Sequence, residues 1–376
     1  MSDFNRVYHL SHIDLDGYGC QYLTTKAFND IKCYNANYGG EVNERLSEII
    51  SEIKEDKKKD SSIKPLILIT DLNLTTKECN SLEKEAMKVE GGCKILLLDH
   101  HATGSNAANN IAWYYLDTSR SATKITYDWL REQFDFDKEG EFEKIVEAIN
   151  AIDIWIDDSP YFDFGRVLIG MISGAKEVNR IVFANEDRAY KLKLIDEAKE
   201  ILNKYPLDEA PIALDDRLHF IKKDFFRVDK NDTKDNLVAD FIADILTKNR
   251  DRMSVTFKGY RGILTYSTGN TSLIGNNFLV KNKDFDFYMD VNAHGGFSLR
   301  SNNKVDVSKM AEIIGKGGGH PNASGGKIEG YKDSFVYEKL REFVQDYLSQ
   351  KEKDAKEIKR DEDEVKEDAN TSAATK

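Results

Sequence analysis

Lys94-Ile95-Leu96-Leu97-Leu98 runs directly into Asp99-His100-His101, and this stretch decides the fold class. Gly91-Gly92 gives a turn signal just ahead of it. A short apolar run bounded by turn residues reads as a buried strand of a parallel sheet. In open α/β sheets, functional groups collect where strands end at their carboxyl side. Asp99, His100 and His101 stand at such an end, three consecutive side chains able to hold a metal. In isolation, a capping Asp followed by two surface histidines would explain them, because histidines need no metal. The pattern recurs elsewhere in the chain, and the recurrence gives it weight.

Toward the amino terminus, Leu66-Ile67-Leu68-Ile69-Thr70 is a second apolar strand with Asp71 at its end. A lone Asp there fits a cap or a turn equally well. Val7-Tyr8-His9-Leu10 reads as the first strand and runs into Ser11-His12-Ile13-Asp14-Leu15-Asp16-Gly17-Tyr18-Gly19. A helix follows from Gly19 to Asn29. If the segment before it stays extended, alternation points His12, Asp14 and Asp16 in one direction. Gly17 and Gly19 permit a tight turn and leave room for a ligand. Acids gathered this closely repel unless a cation joins them. Ile31–Tyr34 reads as a strand, Val42 to Ile53 as a helix, Glu55–Ser62 as a charged loop and Leu74–Val89 as a helix.

Toward the carboxyl terminus, Ile111–Tyr115 reads as a strand, and Ser121–Phe134 and Phe142–Ile152 as helices. Asp153 follows among apolar residues, where a charge needs a partner; a buried capping Asp is the plain alternative. Strands alternating with helices of this length predict an α/β fold with a parallel sheet and right-handed crossovers. Histidine and carboxylate donors without thiolate (His12, Asp14, Asp16, Asp71, Asp99, His100, His101 and Asp153) suit manganese or magnesium better than structural zinc. A carboxylate shared between two cations suits in-line phosphoryl displacement.

Composition limits the alternatives. A length of 376 residues argues for two domains, and 40% hydrophobic with 32% charged residues is globular. No run of eighteen apolar residues suggests a membrane span, and Met1–Arg6 lacks a signal-peptide pattern. Cys20, Cys33, Cys79 and Cys93 form no C-x-x-C pair, which predicts free thiols and a cytoplasmic protein. A net charge of −12 argues against broad attraction to duplex DNA.

In the second half, Glu186–Lys204 reads as a connecting helix and Leu237–Leu246 as a helix. Met253–Phe257, Gly262–Tyr266, Phe285–Val291 and Phe297–Arg300 read as strands, and Val307–Ile314 as a helix. Gly317-Gly318-Gly319-His320 comes next, and glycine runs let backbone N–H groups turn toward an anion. A flexible loop would also explain the glycines, but His320 beside them and Arg300 on a neighbouring strand point to substrate holding. Arginine suits bidentate phosphate contact or stacking on a base. His9, His219 and His294 read as structural or solvent-facing. The run Lys351–Lys376 reads as a disordered, solvated tail whose charges nearly cancel.

Ser11-His12-Ile13-Asp14-Leu15-Asp16-Gly17, Asp71, Asp99-His100-His101 and Asp153 resemble, in order, the four motifs of the DHH phosphoesterases. Gly317-Gly318-Gly319-His320-Pro321 with Ala323-Ser324-Gly325-Gly326, preceded by Phe297–Ser301, resembles the signature of that family's carboxyl-terminal DHHA1 domain. The resemblance covers about residues 1–345. It implies a DHH catalytic domain at 1–185, a connector at 186–212, a smaller α/β DHHA1 domain at 213–348, a tail at 349–376, and a cleft between the domains. It also implies two manganese ions, with magnesium as the other candidate. His12, Asp14 and Asp71 would hold one ion; Asp16, Asp71, His100 and Asp153 would hold the other. His101 would face the substrate phosphate, Asp99 would support it, and Arg300, Ser301, Gly317, Gly318, Gly319 and His320 would hold substrate. The histidine two residues before the first Asp, with Asp-Leu-Asp-Gly, is most similar to the NrnB-like oligoribonuclease branch, and also to the RecJ exonuclease motif, which has an acid at that place. The expected activity is hydrolysis of short oligoribonucleotides to 5′-mononucleotides. The alternatives are a dinucleotide phosphodiesterase, a 3′-phosphoadenosine phosphatase, a single-strand DNA exonuclease, or a non-catalytic nucleotide sensor. Oligomeric state is not readable from these residues; a homodimer is compatible with them.

Overall fold

The computed structural model describes the backbone of residues 4–374 and the side chains of residues 4–357. The chain divides into two compact units, one of Met1–Lys176 with Ala184–Phe225, the other of Glu177–Phe183 with Phe226–Lys376. Among the described residues, no helix is long and apolar enough to cross a membrane.

The first unit begins with β1 (Arg6–Ser11), α1 (Leu15–Ala27), β2 (Ile31–Asn35), α2 (Gly40–Lys59), β3 (Pro65–Thr70), α3 (Thr76–Met87) and β4 (Lys94–Asp99). It continues through α4 (Ser105–Ala108), β5 (Tyr114–Leu116), α5 (Ala122–Phe134), α6 (Glu143–Asp153) and α7 (Phe162–Ser173). After residues 177–183, which belong to the other unit, it ends with α8 (Ala184–Lys204), α9 (Ala210–Asp215) and α10 (Leu218–Phe226). The five strands pair in parallel in the order β2-β1-β3-β4-β5, as expected for alternating strands and helices. Period-two alternation sorts their side chains to two faces. Tyr8, Leu10, Ile67, Ile69 and Leu97 pack with Val42, Leu46, Ile49 and Ile53 of α2 and with Cys79 and Leu82 of α3. Val7, Leu66, Leu68 and Leu98 pack on the other side with Ile125, Phe28 and Trp129. The chain leaves β1 for β2 on one side and later returns to β3 on the other, so the strand order reverses at β1. Ligand crevices in such sheets form at the carboxyl ends of the strands flanking that reversal.

Two local readings are corrected. The charged stretch after Ile53 does not loop out but stays helical to Lys59, with Lys54 paired to Glu85 of α3 at 3.8 Å. The helix expected as a connector, α8, packs within the first unit. Its apolar stripe (Tyr190, Leu194, Ile195, Ala198, Leu202) is buried, and Tyr18 and Tyr22 of α1 donate to its Asp187 and Asp196 at 2.9 and 2.8 Å. His9 is fully buried, bonded to Thr24 and Thr70 at 2.8 Å each, and burial pushes its imidazole down to about 3. His219 and His294 are exposed, and all four cysteines are free.

The second unit holds α11 (Lys234–Lys248), β6 (Ser254–Phe257), β7 (Tyr260–Tyr266), α12 (Thr271–Lys281), β8 (Phe287–Val291), β9 (Gly296–Ser301), α13 (Val307–Gly315), β10 (Gly318–His320), β11 (Ala323–Lys327) and α14 (Tyr337–Ala374). Its mixed sheet runs β10-β11-β9-β8-β7-β6, with β7 and β8 parallel and the other pairs antiparallel. The glycines expected as an open loop form a hairpin instead. A Cβ on Gly317 would lie 2.0 Å from the Gly325 carbonyl oxygen, so glycine is needed there for two backbones to approach. The run from 349, expected to be disordered, continues α14 to Ala374, with i,i+4 pairing of Lys356 and Glu352 at 2.8 Å. Its side chains beyond residue 357 lie outside the described residues.

Candidate metal centre

The turn after β1 is built differently from an extended run. Asp14 is the N-cap of α1 and accepts from Gly17 N–H at 3.1 Å. Asp16 therefore sits in the first turn of the helix. A Cβ on Gly17 would lie 2.4 Å from the His12 carbonyl oxygen, which explains the glycine. Asp16 is 1% exposed and accepts from the Ala122 and Thr123 N–H groups at 2.7 and 2.8 Å. These are free donors at the N-terminus of α5, where a carboxylate is favoured. Ser11 Oγ donates to the Gly17 carbonyl at 2.9 Å and lies 2.7 Å from Thr70 Oγ1, tying this turn to the end of β3.

Asp71 follows β3 in the left-handed region, φ 56°, and is 1% exposed. His100 follows β4, and Asp153 is the last residue of α6. Seven of the eight candidates of this unit sort into overlapping groups. His12, Asp14 and Asp71 bring one ligand atom each within 4.8 Å of the others; so do Asp16, His100 and Asp153; so do Asp71, His100 and His101. His100 Nε2 lies 3.3 Å from Asp71 Oδ1, 3.5 Å from Asp153 Oδ2 and 3.7 Å from Asp16 Oδ2. His12 Nδ1 lies 2.9 Å from Asp14 Oδ2 and 3.7 Å from Asp71 Oδ2. His12 Nδ1, Asp71 Oδ2 and Asp153 Oδ2 are buried without a hydrogen-bond partner among the described residues. Buried polar atoms are almost always satisfied, so three orphans converging in one place fit a cation that would satisfy them. Asp71 and His100 are the members shared between groups.

Electrostatics agree with that reading. Burial and the charges of Asp16 and Asp14 hold the Asp71 carboxyl well above the usual carboxylate range. Burial and the same crowding by Asp16 and Asp71 push Asp153 up to about 9. Burial also raises Asp16, against the pull of His100 and the Thr123 amide. Burial works against the charged form of both His12 and Asp14, yet their pairing prevails: His12 rises to about 10 and Asp14 falls to about 2. Without a cation, Asp153 keeps its proton at neutral pH, and a divalent ion would displace it.

Asp99 stands apart from these groups. It is fully buried, accepts from His101 Nδ1 at 2.7 Å through Oδ1, and accepts from the Tyr114 hydroxyl at 2.6 Å through Oδ2. A Cβ on Gly104 would meet that hydroxyl at 1.9 Å, so glycine makes room for Tyr114. Burial opposes ionisation of Asp99, but these donors hold its carboxyl below the usual range. The Nδ1 bond leaves His101 Nε2 as acceptor, and Tyr38 Oη lies 2.9 Å from it. The Tyr38 ring also stands 4.6 Å from that of His12. Sequence reasoning missed Tyr38 and Tyr114. Tyr38 lies in the turn between β2 and α2 with no periodic or motif signal; Tyr114 reads as an ordinary strand aromatic.

In the second unit, Arg300 donates to Ser272 Oγ at 2.9 Å and to the Leu299 carbonyl at 2.8 Å. Among the described residues no carboxylate lies in ion-pair range of it; Asp290, the nearby acid, accepts from Thr265 and Thr268 instead. Ser301 Oγ donates to the Asp286 carbonyl and accepts from Val305 N–H, which gives it a structural role in the strand end. His320 is exposed at the end of β10, and Ala323, paired with it, also pairs with Arg300, so these two share one end of the sheet.

Residues 281–351 match the model of the DHHA1 domain. The chain is 41% identical over 351 residues to a 3′,5′-cyclic-nucleotide phosphodiesterase of Helicobacter pylori, covering 92% of this chain and 99% of that protein. It is 26% identical over 349 residues to the oligoribonuclease NrnB of Bacillus subtilis, covering 89% and 76%. A crystal structure of a protein from Helicobacter pylori G27 superposes with a TM-score of 0.84 at 40% identity, covering 92% and 99%.

Proposed function

Because the chain belongs to the DHH/DHHA1 phosphoesterases, we propose that this phosphodiesterase breaks the P–O3′ bond of small nucleotides and releases 5′-monophosphates. The single observation behind the proposal is the set of three donor groups that share Asp71 and His100 and leave buried ligand atoms unpartnered. The leading substrates are 3′,5′-cyclic mononucleotides, favoured by the likeness to the Helicobacter pylori enzyme over nearly its whole length. Short oligoribonucleotides are the second reading, favoured by the weaker likeness to NrnB. Both would react at the same bond.

On this reading His12, Asp14 and Asp71 would hold one divalent ion, and Asp16, Asp71, His100 and Asp153 would hold the other. Two such ions, manganese or magnesium, would supply the positive charge that polarises phosphoryl oxygens and acidifies water. His101, fixed by Asp99 at Nδ1, would take a proton at Nε2 from the attacking water and return it to the departing 3′-oxygen. Tyr38, 2.9 Å from that Nε2, would orient the ring until substrate enters. Arg300, His320 and the backbone at 317–319 hold the remaining nucleotide. The test incubates the protein with manganese, magnesium or a chelator and offers 3′,5′-cyclic AMP and GMP, an RNA dinucleotide, longer RNA, a cyclic dinucleotide and 3′-phosphoadenosine 5′-phosphate. Metal-dependent release of 5′-mononucleotide from the first two classes supports the proposal. Turnover of only the last compound, or of none, contradicts it.

A further inference from the structure

Helix α6 ends immediately beside the candidate metal centre, and the way it ends is unusual. Ile154 N–H donates to the Asn150 carbonyl, and Ile156 N–H reaches back to the Ala151 carbonyl at 2.8 Å. This six-residue closure is the Schellman ending, which places one residue in the left-handed region, usually glycine. Here that residue is Trp155, at φ 57°. A positive φ is an outlier for a bulky side chain. Nor does the indole gain burial in return, since Trp155 is 67% exposed. It makes no hydrogen bond among the described residues. One contact steadies it: the Phe162 ring, 5.1 Å away at an interplanar angle of 81°. Trp155 is also two residues from Asp153, so their Cα atoms are at most about 7 Å apart.

We propose that Trp155 is the platform on which a nucleobase of the substrate stacks while its phosphate lies at the His100–Asp153 cluster. This rests on the phosphodiesterase reading above and extends it to base recognition by the catalytic unit itself. A strained, exposed aromatic, braced on one side and left open on the rest, is poorly placed for folding and well placed for stacking. Base–aromatic stacking tolerates any base, because every base has a π-face. The site therefore selects for the presence of a base over its identity.

Two measurements test the assignment. The first is the ratio of kcat/KM for an RNA dinucleotide to that for its abasic analogue. Trp155→Ala and Trp155→Gly should lower this ratio about tenfold, and Trp155→Phe should retain most of it. Trp155→Gly should also raise Tm, because glycine fits the left-handed position. A ratio within about twofold of wild type in both Ala and Gly variants overturns the proposal, as does equal loss with both substrates. The second measurement needs no turnover. With magnesium present, AMP should quench tryptophan emission and ribose 5-phosphate should not, and the quench should vanish in Trp155→Phe although Trp113 and Trp129 remain. A quench that survives in that variant, or none in wild type, overturns the proposal. Wild-type protein that quenches with AMP but cleaves no nucleotide contradicts the proposed function and leaves the stacking site standing.

Discussion

Replacing Asp71 with Asn removes one charge from the point where the donor groups meet, and two effects of opposite sign should follow. The ligand atoms of Asp71 and Asp14 lie within 4.8 Å. Two ionised carboxylates at that distance repel by roughly 3–4 kcal/mol at an effective dielectric constant of 20. Protonation relieves part of this, because burial and its acidic neighbours hold the Asp71 carboxyl well above its ordinary range. The metal-free variant should therefore gain about 1–2 kcal/mol at pH 8, or roughly 2–8 °C in Tm for a unit of about this size. Asn also tolerates the left-handed backbone at this position. With manganese the sign reverses. A ligand at a hundred times its Kd stabilises by about 2.7 kcal/mol, so wild type should rise by roughly 5–10 °C, and Asp71→Asn by less than half as much. Its kcat/KM should fall more than tenfold, a loss above ~1.4 kcal/mol. Thermal melts with and without manganese, beside steady-state kinetics, read all three. A variant that keeps the full manganese shift, or more than about a tenth of the activity, refutes the sharing of Asp71. Destabilisation of the metal-free variant refutes the electrostatic part.

Other perturbations separate the supporting parts. Tyr114→Phe leaves Asp99 Oδ2 without its 2.6 Å donor and should cost about 1.5–3 kcal/mol in urea unfolding, while the manganese-induced Tm shift persists. Arg300→Ala and His320→Ala should raise KM for a dinucleotide and leave that manganese shift intact; loss of the shift would place them at the metals instead. His9 is held near 3 when folded and returns to about 6.5 when unfolded. The unfolded chain thus binds the extra proton, and stability should fall by up to ~1.4 kcal/mol per pH unit below pH 6.5, levelling near pH 3. Urea midpoints between pH 7.5 and 5 should show this slope in wild type and a shallower one in His9→Gln.

The parallel sheet was legible because its strands are buried on both faces. Leu66–Ile69 and Ile95–Leu98 could satisfy few other environments, and the acids and histidines behind them fall at strand ends. The division of labour inside the site was not legible. Extended alternation would point His12, Asp14 and Asp16 one way; the Asp14 cap starts α1 early and sends Asp16 to the amides of Ala122 and Thr123, over a hundred residues away. No local pattern announces such a contact. The same holds for Tyr38 and Tyr114, whose roles exist only once β4 and its neighbours are assembled. In the second unit, glycine content suggested an anion-binding loop. The same glycines serve the close pairing of β10 and β11, a packing demand that composition cannot distinguish from flexibility.

The central claim is metal-dependent cleavage of the P–O3′ bond, and product identity tests it most directly. Purified protein is incubated with 3′,5′-cyclic AMP and, separately, with an RNA dinucleotide, each with manganese and with excess chelator, and the products are resolved by chromatography against 5′- and 3′-AMP. The expected result is 5′-monophosphate only, from at least one of the two, and none with chelator. Release of 3′-monophosphate, or turnover that survives the chelator, would contradict it.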